Sequence, residues 1–165
     1  MHNVLFLLCP TDCLETIIDD TFNCQNYFYT SLGNSFTSDY KTINSIRELI
    51  IKHKIKNVCF VLSNDNEIIK DAFGEQYFSE INGLKSFYKK VSKEKELLEA
   101  IWGADHRKDS ILSYFLNMKI KEFEANLGYI PHHQINIIGK IYNRFENSFR
   151  NIYSNITCLN KHILN

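Results

Sequence analysis

Two short stretches carry the side chains most able to do chemistry. "LLCPTDC", at 7–13, offers two thiols, a hydroxyl and a carboxylate within five positions: Cys9, Thr11, Asp12 and Cys13. "SNDNE", at 63–67, offers five polar side chains directly after the apolar Phe60, Val61 and Leu62. Cys9, Cys13 and Glu67 could share a metal, with Asp12 or Cys24 as a fourth ligand, but only the Cys9-x-x-x-Cys13 spacing falls within known zinc patterns. Cys9 could instead act as a nucleophile, although no His stands near it in sequence to serve as base. The bland alternative is a small buried residue that ends a strand. Asn64, Asp65, Asn66 and Glu67 could hold a polar ligand or a hard cation. They could equally form an Asx-rich turn in which Asp65 or Asn66 caps a helix starting near Glu67. His132-His133 are a poor chelating pair, because neighbouring residues on an extended chain point to opposite sides.

The elements that position these residues follow from the apolar pattern. Val4 to Leu8 is a continuous apolar run, as in a strand buried on both faces of a parallel sheet, and Pro10 stops it. Asp12 is placed to cap a short helix through Leu14, Ile17 and Ile18. Asn26 to Leu32 reads as a second strand, closed by Gly33-Asn34. Ile43, Ile46, Leu49 and Ile50 recur at helical spacing behind Asp39 or Thr42 as cap. Asn57 to Leu62 is a third strand. A strand–helix–strand order predicts parallel neighbours, so Cys9 and the cluster opening at Ser63 fall on the same C-terminal sheet edge, where ligands bind in open α/β sheets.

Residues from about Ile68 to Leu127 are mostly helical. One helix carries Leu84, Tyr88, Val91, Leu98 and Ile101, and another carries Ile111, Phe115, Met118 and Leu127, with Gly128 as its stop. "GADHRKDS", at 103–110, links them. Ile135, Ile137, Ile138 and Ile141 mark a fourth strand. A turn at Glu146-Asn147 leads into a last strand around Phe149 to Tyr153. The predicted fold is α/β: a mainly parallel four-stranded sheet flanked by helices, with a C-terminal antiparallel edge strand, in a single domain spanning 1–165.

In this order the segments resemble the β-class carbonic anhydrases. There a first strand ends in Cys-x-Asp-x-Arg, and a second in a segment like Arg-Asn-x-Gly-Asn. A later strand ends in Gly-His-x-x-Cys-Gly, and a late one reads like Gly-x-x-Tyr-Asp. The corresponding stretches are "LLCPTDC" at 7–13, "YTSLGNSF" at 29–36, "VLSNDNEI" at 61–68 and "IIGKIYNRFENSFRNI" at 137–152. The separation of Cys9 from Asn64 is close to that between the family's first Cys and its His. The resemblance spans most of the chain and implies a zinc site here, but the residues depart from it. Cys9 takes the position of the first Cys ligand. Thr11 stands where the family has the Asp that orients zinc-bound water, and Cys13 where it has the Arg paired with that Asp. Asn64 replaces the His ligand and Glu67 the second Cys ligand.

The resemblance therefore implies a β-carbonic anhydrase-like protein with a dismantled zinc site and a binding or scaffolding role. Its crevice would be formed by Cys9, Asp12, Gly33, Asn34, Asn64, Asp65 and Glu67, with Thr11 and Cys13 as vestigial positions. No cofactor is expected in that reading. One alternative is a lyase of the same family with zinc on a rewired set, Cys9, Cys13 and Glu67. Another is an unrelated α/β small-ligand enzyme that uses Cys9.

Bulk composition narrows the partners. The chain has 165 residues, 44% of them hydrophobic, which is a globular composition. Nineteen basic residues balance nineteen acidic ones, so there is no electrostatic reason to expect nucleic acid or an anionic membrane surface. The five cysteines, Cys9, Cys13, Cys24, Cys59 and Cys158, are odd in number and irregularly spaced, as in reduced thiols. No run approaches the length of a membrane span, and "MHNVLFLLC" lacks the basic residues of a secretion signal. A cytoplasmic protein is expected. It is expected to be a homodimer as well, because Phe145, Phe149 and Tyr153 are placed on the predicted edge strand.

Overall fold

The computed structural model describes residues 3–35, 39–101, 107–130 and 134–153. His132, His133, Cys158 and residues 103–106 of the 103–110 link lie outside the described residues. The chain forms β1 (Asn3–Leu8), a 3-10 turn (Pro10–Asp12), α1 (Glu15–Thr21), β2 (Gln25–Thr30), a second 3-10 turn (Leu32–Asn34), α2 (Tyr40–Lys52) and β3 (Asn57–Ser63). It continues through α3 (Glu67–Phe73), α4 (Lys85–Ile101), α5 (Arg107–Leu127), β4 (Asn136–Asn143) and β5 (Ser148–Asn151). The strands make one sheet in the order β2-β1-β3-β4-β5. β1 runs parallel to β2 and β3, β3 runs parallel to β4, and β5 returns antiparallel along β4. The α/β architecture predicted from the sequence is the one observed.

The unbroken apolar runs of β1 and β3 are explained by the two faces of the sheet. Leu5 and Leu7 point into one core with Val58, Phe60 and Leu62, while Phe6 and Leu8 point into the other with Cys59 and Val61. Alternate residues of one strand thus serve opposite cores, and no position is left for a polar side chain. The two faces are unequal. α2, α3, α4 and α5 supply Ile46, Ile50, Ile68, Val91, Phe115 and Phe123 to the larger core. The other face is covered by the seven-residue α1 through Ile18, together with Leu14, Phe22 and Phe149. Burial at this scale, at about 25 cal/mol per Å² of apolar surface, makes the sheet faces the main source of stability.

Boundaries and placements differ from the sequence reading at several points, and β2 ends at Thr30 where the sequence predicts a strand to Leu32. Asp12 does not cap α1: that helix starts after Leu14 with no side-chain cap, because Asp12 closes the Pro10 turn and faces the sheet. β5 ends at Asn151, so Phe145 lies in the β4–β5 turn and Tyr153 beyond the strand. Phe149 is not a bare edge residue, since its ring packs 4.9 Å from Tyr142 and 5.1 Å from Phe22. Other punctuation held. Asp39 caps α2 by accepting from the Thr42 amide, and Gly128 follows α5 at φ 63°.

After β2 the chain turns sharply towards α3. Gly33 sits at φ 58°, and a Cβ there would lie 2.9 Å from the Ile68 methyl. Both the backbone region and the contact favour a residue without a side chain. Gly33→Ala is expected to destabilise the fold by about 2 kcal/mol, the cost of a left-handed alanine added to overpacking, as read from urea unfolding.

Candidate functional site at the C-terminal edge of the sheet

β1, β3 and β4 are parallel, so their C-terminal ends meet at one edge and the segments that follow them share one space. There, Thr11, Asp12, Cys13, Asp65, Glu67 and Arg144 line an open pocket of about 330 Å³. Three connecting segments build it: the Pro10 turn after β1, the β3–α3 link and the β4–β5 turn.

Asp12 is the residue that joins the first two. It is 2% exposed, and its carboxylate accepts from the Ser63 amide at 2.8 Å and from the Asn66 side-chain amide at 2.8 Å. Burial pushes its pKa up, and the hydrogen bonds from Ser63 and Asn66 offset part of that rise. Asn66 works in both directions. Its carbonyl oxygen accepts from the Ile69 amide at 2.9 Å, which caps α3, while its nitrogen serves Asp12. Of the two cap candidates in the sequence, Asn66 is the cap.

Asp65 turns to the third segment. The Arg144 Nε donates to both Asp65 oxygens, at 2.9 and 3.1 Å, and Arg144 Nη2 donates to the Asp12 backbone carbonyl at 2.8 Å. The guanidinium carbon stands 5.8 Å from the centre of the Tyr142 ring. Partial burial pushes the Asp65 pKa up, but its hydrogen bond with the Ser63 hydroxyl and the nearby Arg144 outweigh that and hold it below the usual range. Asn64 continues the sheet pairing, its amide donating to the Tyr142 carbonyl at 2.9 Å. Its side-chain oxygen accepts from the Arg144 amide at 3.3 Å. The Glu67 side chain is 69% exposed and lies 3.4 Å from Lys70 Nζ.

Cys9, Gly33 and Asn34 are buried. The Cys9 sulfur accepts from the Gly33 amide at 3.0 Å and lies 3.0 Å from the Thr11 hydroxyl. Asn34 donates to the Val61 carbonyl at 2.8 Å, and its Oδ1 has no partner among the described residues. Cys13 is exposed on the pocket wall at φ 51°, with its sulfur directed to the Pro10 carbonyl at 3.5 Å.

These donors do not fit a catalytic zinc ion, which needs three good protein ligands and one open position. Cys9 could supply a thiolate. Asn64 offers only a neutral amide oxygen, already engaged by a backbone N–H, and Glu67 extends beside a lysine. The rewired set fares no better as a geometric proposal: among the described residues no group of three His, Cys, Asp or Glu side chains is placed to hold a metal, and Cys9, Cys13 and Glu67 are not brought together as one.

The residue that sequence reasoning missed is Arg144. A signal existed, because a strand parallel to β3 must deliver its following turn to the same edge, and "NRFEN" places a cation in that turn. Asn66 as a two-way link was also missed, since a cap's second amide atom leaves no trace in spacing.

The chain was compared with known proteins. No family model matches the sequence, and no curated protein matches it. Solved structures do match. The wild-type β-carbonic anhydrase CafD of Aspergillus fumigatus aligns with a TM-score of 0.72 at 17% identity, over 93% of this chain and 90% of that one. CafA, a β-carbonic anhydrase of the same fungus, aligns with a TM-score of 0.73 at 14% identity, over 93% and 76% of the two chains. A tetrameric β-carbonic anhydrase of Sordaria macrospora aligns at 0.68 and 16% identity, over 91% and 80%. The fold is thus of the α/β class with its pocket at the C-terminal sheet edge. More closely, it is the β-carbonic anhydrase fold.

The Arg144–Asp65 pair sets an acid limb. A carboxylate held below its unfolded pKa contributes stability that is complete above the unfolded value, about 3.9, and is lost as pH falls through the folded value. Arg144→Ala is expected to flatten the pH dependence of stability below about pH 4 and to leave it unchanged near neutrality, apart from a constant offset. Urea midpoints measured from pH 3 to 7 check this. An unaltered acid limb in the variant would assign the pH dependence to other carboxylates.

Proposed function

We propose that this chain is a non-catalytic relative of the β-carbonic anhydrases with a dismantled zinc site, acting by binding or scaffolding. The observation that carries the reading is the fate of the three ligand positions. Cys9 is buried against the Gly33 amide, Asn64 is tied to the β4–β5 turn, and Glu67 extends beside Lys70. Zinc in such enzymes lowers the pKa of bound water so that hydroxide forms at neutral pH. Here the groups at those positions serve the backbone and a neighbouring cation. Thr11 and Cys13 also remove the Asp–Arg pair that the resemblance implies, and with it the orientation of any metal-bound water.

Stopped-flow CO2 hydration near pH 8, with metal content measured on the same sample, tests this. Turnover is expected at the buffer rate. Turnover well above it, abolished by chelator and restored by zinc, would establish a working metal site. A complementary variant combines Thr11→Asp, Cys13→Arg, Asn64→His and Glu67→Cys, and is expected to gain stoichiometric zinc. If that variant folds and takes up none, the alignment of these segments with the zinc-binding motif is wrong.

The same reading makes the protein a cytoplasmic homodimer. Among the described residues no helix is long and apolar enough to cross a membrane. Among the described residues, the sheet face under α1 leaves Val4, Ile17, Phe22, Phe28, Ile138 and Phe149 only partly buried, the last of them on the four-residue edge strand β5. Phe145, 96% exposed at the neighbouring turn, adds apolar surface. The Sordaria macrospora relatives in fold are tetrameric. Light scattering at high micromolar concentration is expected to give twice the chain mass, and a strictly monomeric mass would remove this part of the proposal.

A further inference from the structure

A metal ion in this fold would do mechanical work as well as chemistry. Ligands at the positions of Cys9, Asn64 and Glu67 would join the end of β1 to the segment after β3. With the donor set unfit for zinc, that junction must be held in another way. The structure holds it with a carboxylate. Asp12, in the turn after β1, reaches across to the Ser63 amide and the Asn66 side chain, both at 2.8 Å. Arg144 then adds the β4–β5 turn, through Asp65 on one side and the Asp12 carbonyl on the other.

We infer that Asp12 and Arg144 replace the metal as the cross-link of the sheet edge, so that the pocket is preassembled without any ion. The inference rests on the reading of the zinc site as dismantled. Asp12 is suited to the role by its hydrogen bonds. Each carboxylate oxygen takes a buried donor, and one of those donors is the backbone amide of Ser63, so removing the carboxylate strands both. Asn66 passes the tie into α3 through its cap on Ile69. Arg144 is suited by its planar fork, which holds a carboxylate and a carbonyl at once in a way that a lysine ammonium does not.

Two measurements on the full chain test it: the thermal midpoint, and residue-resolved amide exchange with and without EDTA. EDTA is expected to change neither quantity in the parent. Asp12→Ala is expected to lower the midpoint by roughly 5 °C or more, and to speed exchange of the Ser63 amide roughly tenfold or more while Phe60 in the core of β3 stays protected. Asp12→Asn retains one acceptor oxygen and provides the reading if Asp12→Ala does not fold; its Ser63 amide is expected to exchange faster than in the parent. Arg144→Gln and Asp65→Asn are expected to be non-additive, the double variant being little worse than either single one. Faster Ser63 exchange in the parent on adding EDTA would overturn the inference, and so would unchanged Ser63 exchange in both Asp12 variants. Full additivity of the Arg144 and Asp65 changes would remove the arginine arm. Failure of the functional reading is distinguishable: chelator-sensitive CO2 hydration with Ser63 exchange indifferent to EDTA would discard that reading and leave the cross-link standing.

Discussion

Parallel strands bring their C-terminal ends to one edge, and the chain leaving each strand must satisfy the backbone groups released there. Much of this structure follows from how that is done. The Leu8 carbonyl is taken by the Ser31 amide, the Asn64 amide is taken by the Tyr142 carbonyl, and the Ser63 amide is taken by the Asp12 carboxylate. The first two are ordinary backbone pairings. The third recruits a side chain from another segment, and it places a nearly fully buried acid beside the pocket.

A buried carboxylate is costly unless its oxygens are well supplied with donors. Asp12 has a backbone N–H and an amide nitrogen on its two oxygens, with the Arg144 guanidinium bound to its own carbonyl nearby. Burial still dominates and its pKa is raised, so the hydrogen bonds offset the desolvation only in part. Asp65, more open to water and paired directly with Arg144, moves the opposite way. Two aspartates a few ångströms from one arginine are thus pushed apart by exposure and pairing. Such separation is common at functional sites but also arises in structural networks. The bonding partners decide between these: for Asp12 they are the backbone and a helix cap.

The fold was legible because its signals are redundant. Leu5 and Leu7 on one face, with Phe6 and Leu8 on the other, can only be a doubly covered strand, and the same logic holds for Val58 to Leu62. Strand and helix then alternate, which fixes a parallel sheet and hence the edge where Cys9 and Ser63 end. The site was legible only as a location. The sequence offers Asp12 as the cap of a helix that instead begins at Glu15, because the turn that starts at Pro10 redirects its side chain, and periodicity does not encode that redirection. Arg144 is distant from Asp65 in sequence, and a surface cation in a hairpin turn has no local signature that separates it from a solvated one. At identities of 14 to 17% to the structures compared above, the fold is shared while most residue types differ.

Cys9 has a defined place in the packing of the strand end. Cys9 is 1% exposed and its sulfur is the acceptor for the Gly33 amide, at a glycine in the turn after β2 that lies close against Ile68 of α3. A buried N–H needs an acceptor, and a small polarizable thiol at the end of an apolar strand supplies one with little polar burden. The contacts of the Cys9 sulfur at the strand end are the Gly33 amide and the Thr11 hydroxyl. Asn64 and Glu67, by contrast, sit where the chain has already left the core, and their side chains answer to the neighbouring turn and to Lys70. The division between the two cases is burial. Inside the edge the residue type is held by the fold, and outside it the side chain is set by whichever partner the adjoining loop presents.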